Sequence, residues 1–239
     1  MSKSPEILFE DEYLIAVNKS ANLLSIPDTF YAERSNAKTE VERASGRLYV
    51  NHRLDRETTG VLLFSKTAES HQHMNTLWQS RKVHKTYWAI VDGATPKEGK
   101  VDLPIMIIND GRKAKVHEKQ GKEALTFYKT IESFGAFSLV ELNIQTGRLH
   151  QIRVHMKQIG HALMIDKLYG HREAFYLSEF KYKYRHKSFK EERPLMSRLS
   201  LHAKTLSFIH PFTNEEVCVE APLPKDFRAS LNQLRKLSS

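Results

Sequence analysis

Cysteine is almost missing from this 239-residue chain. Cys218 is the single example, so no intrachain disulfide can form and the core must hold the fold unaided. No stretch approaches the roughly 18 uninterrupted apolar residues that a membrane-crossing helix needs. The opening Met1-Ser-Lys-Ser-Pro-Glu6 runs into the acidic Phe9-Glu-Asp-Glu-Tyr13, where a signal peptide would carry its apolar centre; a cytoplasmic protein with no membrane partner is expected. Glycine is sparse, and Gly93, Gly99, Gly111 and Gly121 lie too far apart to cradle a phosphate, so no nucleotide cofactor is expected. The 8 prolines are scattered and no repeat or low-complexity linker occurs, which favours one domain over residues 1–239. Acid is in deficit: 37 Lys and Arg against 28 Asp and Glu leave a net charge of +9, a balance that suits a polyanionic partner.

What is present reads as a mixed α+β chain. A hairpin is predicted at residues 7–9 and 13–17 across an acidic turn, with further strands at 48–55, 61–65, 86–91, 125–131 and 137–144. Residues 32–47 are polar and predict a loop or short helix. Thr67 can cap a helix carrying Met74, Leu77, Trp78 and Arg81 at helical spacing, and Thr146 can cap another that stops at Gly160. Hairpin-like neighbours without strict strand-helix alternation predict a mostly antiparallel, mixed sheet with flanking helices. Cys218, inside Val217-Cys-Val219, is expected to be a small buried strand residue.

Two constellations could carry chemistry. In Val50-Asn-His-Arg-Leu-Asp55, strand alternation would put Arg53 and Asp55 on one face, with Asp55 at a strand end beside the polar turn Arg56-Glu-Thr-Thr-Gly60. Asp55 is thus either a catalytic carboxylate or a surface ion-pair partner of Arg53 or Arg56. In Thr146-Gly-Arg-Leu-His-Gln-Ile-Arg-Val-His155, helical projection places Leu149, Ile152, Met156 and Ile159 on one apolar stripe with Arg153 inside it. A guanidinium there is costly unless a carboxylate meets it, and Asp55 is a candidate partner; the alternative is that Arg153 snorkels to solvent. His150, His155 and His161 are spaced by five and six residues, which does not gather imidazoles on one helical face, so no metal site is expected.

These residues carry a resemblance to the RluA-type family of RNA pseudouridine synthases. His52-Arg-Leu-Asp-Arg-Glu-Thr-Thr-Gly60 resembles the family's His-Arg-Leu-Asp-x-x-Thr-Ser-Gly, and Lys85-Thr-Tyr-Trp-Ala-Ile-Val-Asp-Gly93 its Lys-x-Tyr-x-Ala-x-Val-x-Gly. The segment 146–155 resembles its helix motif, and Leu201-His-Ala203 with His210-Pro211 its closing segment. The similarity runs from about Ile7 to Phe227, with no S4-type RNA-binding domain expected before it.

The resemblance implies the pseudouridine synthase fold and a cofactor-free isomerisation of uridines in structured ribosomal or transfer RNA by a monomer. It implies Asp55 as nucleophile, Tyr87 as active-site tyrosine and Arg153 as the basic residue serving the aspartate. Arg53 would fill the space left by the flipped uridine, and the same motifs put His52, Lys85, Arg148, His150, Gln151 and Leu201 in the substrate-binding set. Thr59 stands for the usual Ser, and Gly160-His-Ala-Leu-Met-Ile-Asp166 lacks the Pro and Gly of the common Gly-His-Pro-x-x-Gly-Asp. Residues 171–198 form a basic insertion in which Lys181, Lys183, Arg185, Lys187 and Lys190 alternate with Tyr182 and Tyr184, a mixture suited to single-stranded RNA. A non-catalytic RNA-binding module and a glycoside-type hydrolase are the rival classes; the second would need another carboxylate beside Asp55.

Overall fold

The computed structural model describes residues 4–28, 31, 33–108, 111–181 and 192–238. They form two compact units, one comprising the chain up to Tyr87 with His202–Pro222, the other Trp88–Leu201 with Leu223–Ser239. No helix among the described residues is long and apolar enough to cross a membrane.

The first unit opens with strands β1 (Glu6–Glu10) and β2 (Leu14–Lys19), the predicted hairpin, antiparallel with an irregularity between Ile7 and Phe9. Helix α1 (Ala37–Ser45) follows, then the two-residue β3 (Tyr49–Val50), β4 (Thr59–Ser65) and helix α2 (Ala68–Gln79). Every residue of β4 is buried. Its apolar run Val61-Leu-Leu-Phe64 therefore reads as a central strand covered on both faces, with β2 antiparallel on one flank. Helix α2 starts as expected at Thr67, whose hydroxyl accepts the Ser70 N–H at 3.0 Å within a reciprocal capping box. It lays Met74, Leu77 and Trp78 on the core formed by Leu14, Val61, Leu63 and Phe208.

Strand β5 (His84–Asp92) carries the chain from the first unit into the second. There β6 (Glu98–Asp102), β9 (Leu125–Ser133) and β10 (Phe137–Ile144) pair antiparallel, and β7 (Ile105–Ile108) and β8 (Lys113–Val116) make a separate hairpin. Helix α3 (Gln151–Gln158) is short and deeply set, with six of its eight residues buried. Its end matches expectation: Gly160 at φ +86° donates to the Lys157 carbonyl and His161 to that of Met156, the Schellman pairing that needs a left-handed residue at this place. Its start does not, because the cap position is His150 rather than Thr146, in the left-handed region at φ 54° with no side-chain cap bond.

From His202 the chain is again in the first unit, on β11 (Leu201–Ile209), which runs parallel to β4 through His202↔Thr59 and Ala203↔Gly60 and antiparallel to β12 (Glu216–Glu220). Parallel and antiparallel pairs in one unit make the sheet mixed, as expected for an α+β chain. On β12 Val219 is buried and Cys218 exposed, correcting the expectation of a buried thiol: alternation turns Cys218 outward on a strand covered on one face only. Helix α4 (Lys225–Ser238) packs Phe227, Leu231 and Leu234 against Phe134, Phe137 and Phe175 in the second unit.

Candidate active site

In the first unit, the segment expected to be a strand over 48–55 pairs only at Tyr49–Val50, and residues 51–55 carry no regular secondary structure. Face-sharing between Arg53 and Asp55 therefore does not follow from strand alternation. Side chains supply the order that the ladder does not. The buried Ser25 hydroxyl accepts the Leu54 N–H at 2.9 Å and donates to the Leu54 carbonyl at 2.8 Å, gripping the residue before Asp55 from both sides. The Thr58 N–H donates to the Asp55 carbonyl at 3.1 Å, closing the turn. Lys19, fully buried at the end of β2, donates to the carbonyls of Arg56 at 3.0 Å, Leu23 at 2.8 Å and Ser20 at 3.0 Å. One ammonium thus ties the 20–23 turn to the loop carrying Asp55. Asp55 is half-buried and Arg53 exposed.

Tyr87, buried on β5, lies within the electrostatic reach of Asp55. Its phenol is pushed well above the ordinary tyrosine value, first by burial and then by the Asp55 carboxylate, so it stays protonated at neutral pH. Such a ring can stack and donate a hydrogen bond beside a carboxylate. Lys85, half-buried on the same strand, has its ammonium lowered by burial. Its charge and, more strongly, burial push the His52 imidazole down to about 3. A neutral His52 accepts the Leu63 N–H on Nε2 at 3.0 Å and stacks on Trp78 with centroids 4.9 Å apart. Those contacts fasten the 51–55 segment to β4 and α2.

The motif ending in Gly60 meets His202 and Ala203 of the closing segment in this unit. Thr59 Oγ1 lies 2.8 Å from His202 Nδ1, while His202 Nε2 lies 3.3 Å from the Ala221 carbonyl. A carbonyl can only accept, so Nε2 carries the proton and Thr59 donates to Nδ1. Leu201, one residue earlier, is buried.

In the second unit Arg153 is 3% exposed inside its apolar stripe, and it does not snorkel. Its carboxylate partner there is Asp166, 1% exposed: Arg153 Nε donates to Oδ2 and Nη2 to Oδ1, both at 2.7 Å. Asp166 Oδ1 also accepts the N–H groups of Leu168 at 2.9 Å and Tyr169 at 3.1 Å. The Tyr169 ring lies 5.0 Å from the Arg153 guanidinium carbon. Its hydroxyl accepts the Ala114 N–H at 2.8 Å and shares a hydrogen bond with His150 Nδ1 at 2.9 Å.

Gln151, buried, takes the Thr146 hydroxyl (2.7 Å) and the Arg148 N–H (3.1 Å) on its oxygen and gives its amide protons to the Leu125 carbonyl and Thr126 Oγ1, both at 3.0 Å. It anchors the turn before α3 to β9, and Thr146 serves that turn rather than a helix cap. Arg148 Nε donates to the Glu123 carbonyl at 2.9 Å, and its side chain is exposed. His155 bridges Thr126 and the Leu103 carbonyl at 2.9 Å each, and burial lowers its imidazole. His161 donates to the Asp92 carbonyl. The three histidines considered for metal thus serve three separate sets of partners.

Of the basic insertion, Lys181 is exposed, whereas Lys183, Arg185, Lys187 and Lys190 lie outside the described residues. Sequence reasoning missed Lys19, Ser25, Asp166 and Tyr169. Asp166 alone left a trace, as the acid that 160–166 keeps where it otherwise departs from its pattern. A lysine ending an apolar strand looks like any surface lysine until its burial is known.

A family model described as RNA pseudouridylate synthase matches residues 13–158. Among curated proteins, "Ribosomal large subunit pseudouridine synthase D" of Zymomonas mobilis is 32% identical over 240 residues, covering 96% of this chain and 72% of its own length. The protein of the same name in Pseudomonas aeruginosa is 33% identical, covering 97% and 72%. Among solved structures, human RNA pseudouridylate synthase domain containing 4 aligns with a TM-score of 0.70 at 25% identity, over 96% of this chain and 93% of that one.

Proposed function

The chain belongs to the RNA pseudouridylate synthase family, and from that premise we propose that it converts uridine to pseudouridine in large-subunit ribosomal RNA, with Asp55 as nucleophile, Tyr87 as the tyrosine against the base and Arg153 as the basic residue serving the carboxylate. The observation that carries this reading is the buried Tyr87 within electrostatic reach of the Asp55 carboxylate, both on motifs in the family's order. The choice of RNA rests on the names of the curated relatives.

The reaction breaks the ribose C1′ bond to uracil N1 and rejoins C1′ to C5. A stacked uridine offers neither atom to a side chain, so the nucleotide must leave its helix, at a cost of a few kcal/mol. Asp55 acts as the carboxylate, either attacking C1′ as the N1 bond breaks, so that an ester joins it to the ribose until C5 displaces it, or taking the 2′ proton as uracil leaves, so that a glycal forms and the proton returns to C2′ as C5 bonds to C1′. The detached uracil turns until C5 faces C1′, the new bond forms, the C5 proton leaves, and N1 takes up a proton. A neutral phenol suits stacking and hydrogen bonding to the turning base better than proton abstraction, because a raised value makes the phenolate scarce.

Arg53, exposed on the catalytic loop, is proposed to enter the gap left by the base. Arg148 and His150, at the turn before α3, are proposed to contact the RNA directly. His52, Lys85, Gln151 and Leu201 support the site through the packing described. The basic segment after residue 180 is proposed to hold phosphates. The protein is proposed to act as a cytoplasmic monomer. Mapping pseudouridine across all stable RNAs in cells with and without the gene tests the reading: a position lost from large-subunit ribosomal RNA supports it, and an unchanged map overturns it.

A further inference from the structure

We infer that Asp166 is a positioning residue for Arg153, fixing the direction in which the guanidinium presents its donors, so that its loss slows the chemical step while leaving RNA binding intact. This rests on the proposed role of Arg153 at the Asp55 carboxylate.

A long arginine stem in an apolar stripe has several rotamers open to it. The choice is made by Asp166, which takes Nε and Nη2 side-on through two bonds of 2.7 Å. A planar fork held at two points can neither swing nor rotate, so the direction of its opposite edge is fixed as well. Asp166 is itself immobile. Its Oδ1 is held by the N–H groups of Leu168 and Tyr169, and the Gly170 N–H donates to its carbonyl at 2.8 Å. The turn is tight enough that a Cβ on Gly170 would come within 3.0 Å of the carbonyl oxygens of both Asp166 and Leu163. The Tyr169 ring flanks the guanidinium, and its hydroxyl links β8 to His150 at the start of α3.

The charge bookkeeping points the same way. Arg153 and Asp166 together are neutral, so the pair contributes an oriented set of N–H donors more than a net positive charge. That is a preorganised dipole, whose effect on a developing charge depends on direction to within a fraction of an ångström.

The test is a single-turnover measurement with enzyme in excess over a labelled ribosomal RNA fragment, because that rate constant does not depend on the folded fraction. Asp166→Asn keeps an acceptor for the Leu168 and Tyr169 N–H groups while breaking the fork. It is expected to lower the rate by about 100-fold and to change the RNA Kd by less than about threefold. A folded Asp166→Asn protein within about threefold of the wild-type rate overturns the inference. Should Asp166→Asn not fold, Asp166→Glu decides, since it keeps the charge and shifts the fork by one methylene. A loss beyond about tenfold with Tm within about 5 °C supports positioning, and a rate within about twofold overturns it. Asp55→Ala in parallel separates the two claims: turnover by Asp55→Ala would overturn the nucleophile assignment, whereas an inert Asp55→Ala beside fully active Asp166 variants would overturn only the positioning role.

Discussion

Gly60 and Ala203 lie so close across the parallel β4–β11 pairing that a Cβ on Gly60 would stand 2.1 Å from the Ala203 carbonyl oxygen. Gly60 also holds φ at +112°, where L side chains are strained. Clash and strain act together, and the obstacle is backbone, which cannot step aside. Gly60→Ala is expected to destabilise the protein by at least about 3 kcal/mol in denaturant titration. A variant within about 1 kcal/mol of wild type would show that the two strands can separate at little cost.

Asp55→Ala and Asp55→Asn are expected to abolish tritium release from RNA labelled at uridine C5. RNA affinity should change by less than about tenfold, or 1.4 kcal/mol. Asp55→Asn is the sharper of the two, being nearly isosteric with the native side chain. Residual turnover well above background would remove Asp55 from the mechanism.

His52 titrates at about 3 in the folded protein against an ordinary 6.5. Because the folded value is the lower one, the neutral ring contributes its full stability above pH 6.5. That stability falls as the pH drops from 6.5 towards 3, by up to about 1.4 kcal/mol per pH unit for one proton taken up on unfolding. His52→Gln, which can still accept the Leu63 N–H but gains no charge, should flatten the acid side of the stability curve by close to one proton. An unchanged slope would mean that other groups set the acid limit.

Arg153→Met leaves Asp166 as a buried carboxylate without its cation, at an expected cost of about 3 to 5 kcal/mol. Adding Asp166→Asn to Arg153→Met removes the stranded charge, and much of that stability should return while activity does not. A double variant no more stable than Arg153→Met would show that the pair is uncoupled.

Changing Lys181, Lys183 and Lys187 together to Ala should reduce the slope of log K against log salt by about 2, at roughly 0.7 per phosphate contact for single strands. Turnover at saturating RNA should hardly change. A salt slope equal to that of the wild type would exclude phosphate contacts from this segment.

The sequence disclosed elements wherever local chemistry decides them. The acidic turn at Asp11, the Thr67 cap, the continuous apolar run of β4 and the left-handed stop at Gly160 are each settled within a few residues. It misled where a distant group takes over. Residues 51–55 alternate like a strand, yet their order comes from Ser25 and Lys19, about 30 residues away in the chain. Arg153 was legible as a buried cation needing an acid, because its helical stripe demanded one; the Asp166 that meets it within the second unit could not be read, since it reaches Arg153 through a turn that periodicity does not encode. Cys218 failed for a simpler reason, since its neighbours Val217 and Val219 share a face that Cys218 does not.

The pairing of β4 with β11 also sets a clock on synthesis. Thr59 and its partner His202 are 143 residues apart, so a ribosome adding about 5 to 20 residues per second needs roughly 7 to 30 s between the two. Throughout that interval the apolar β4, buried along its whole length in the finished protein, has an unmatched edge at Thr59 and Gly60. Such an edge can recruit a foreign strand. The nascent chain is therefore expected to depend on a holdase more than its size would suggest, and slowing translation downstream of β4 should lower the yield of soluble enzyme.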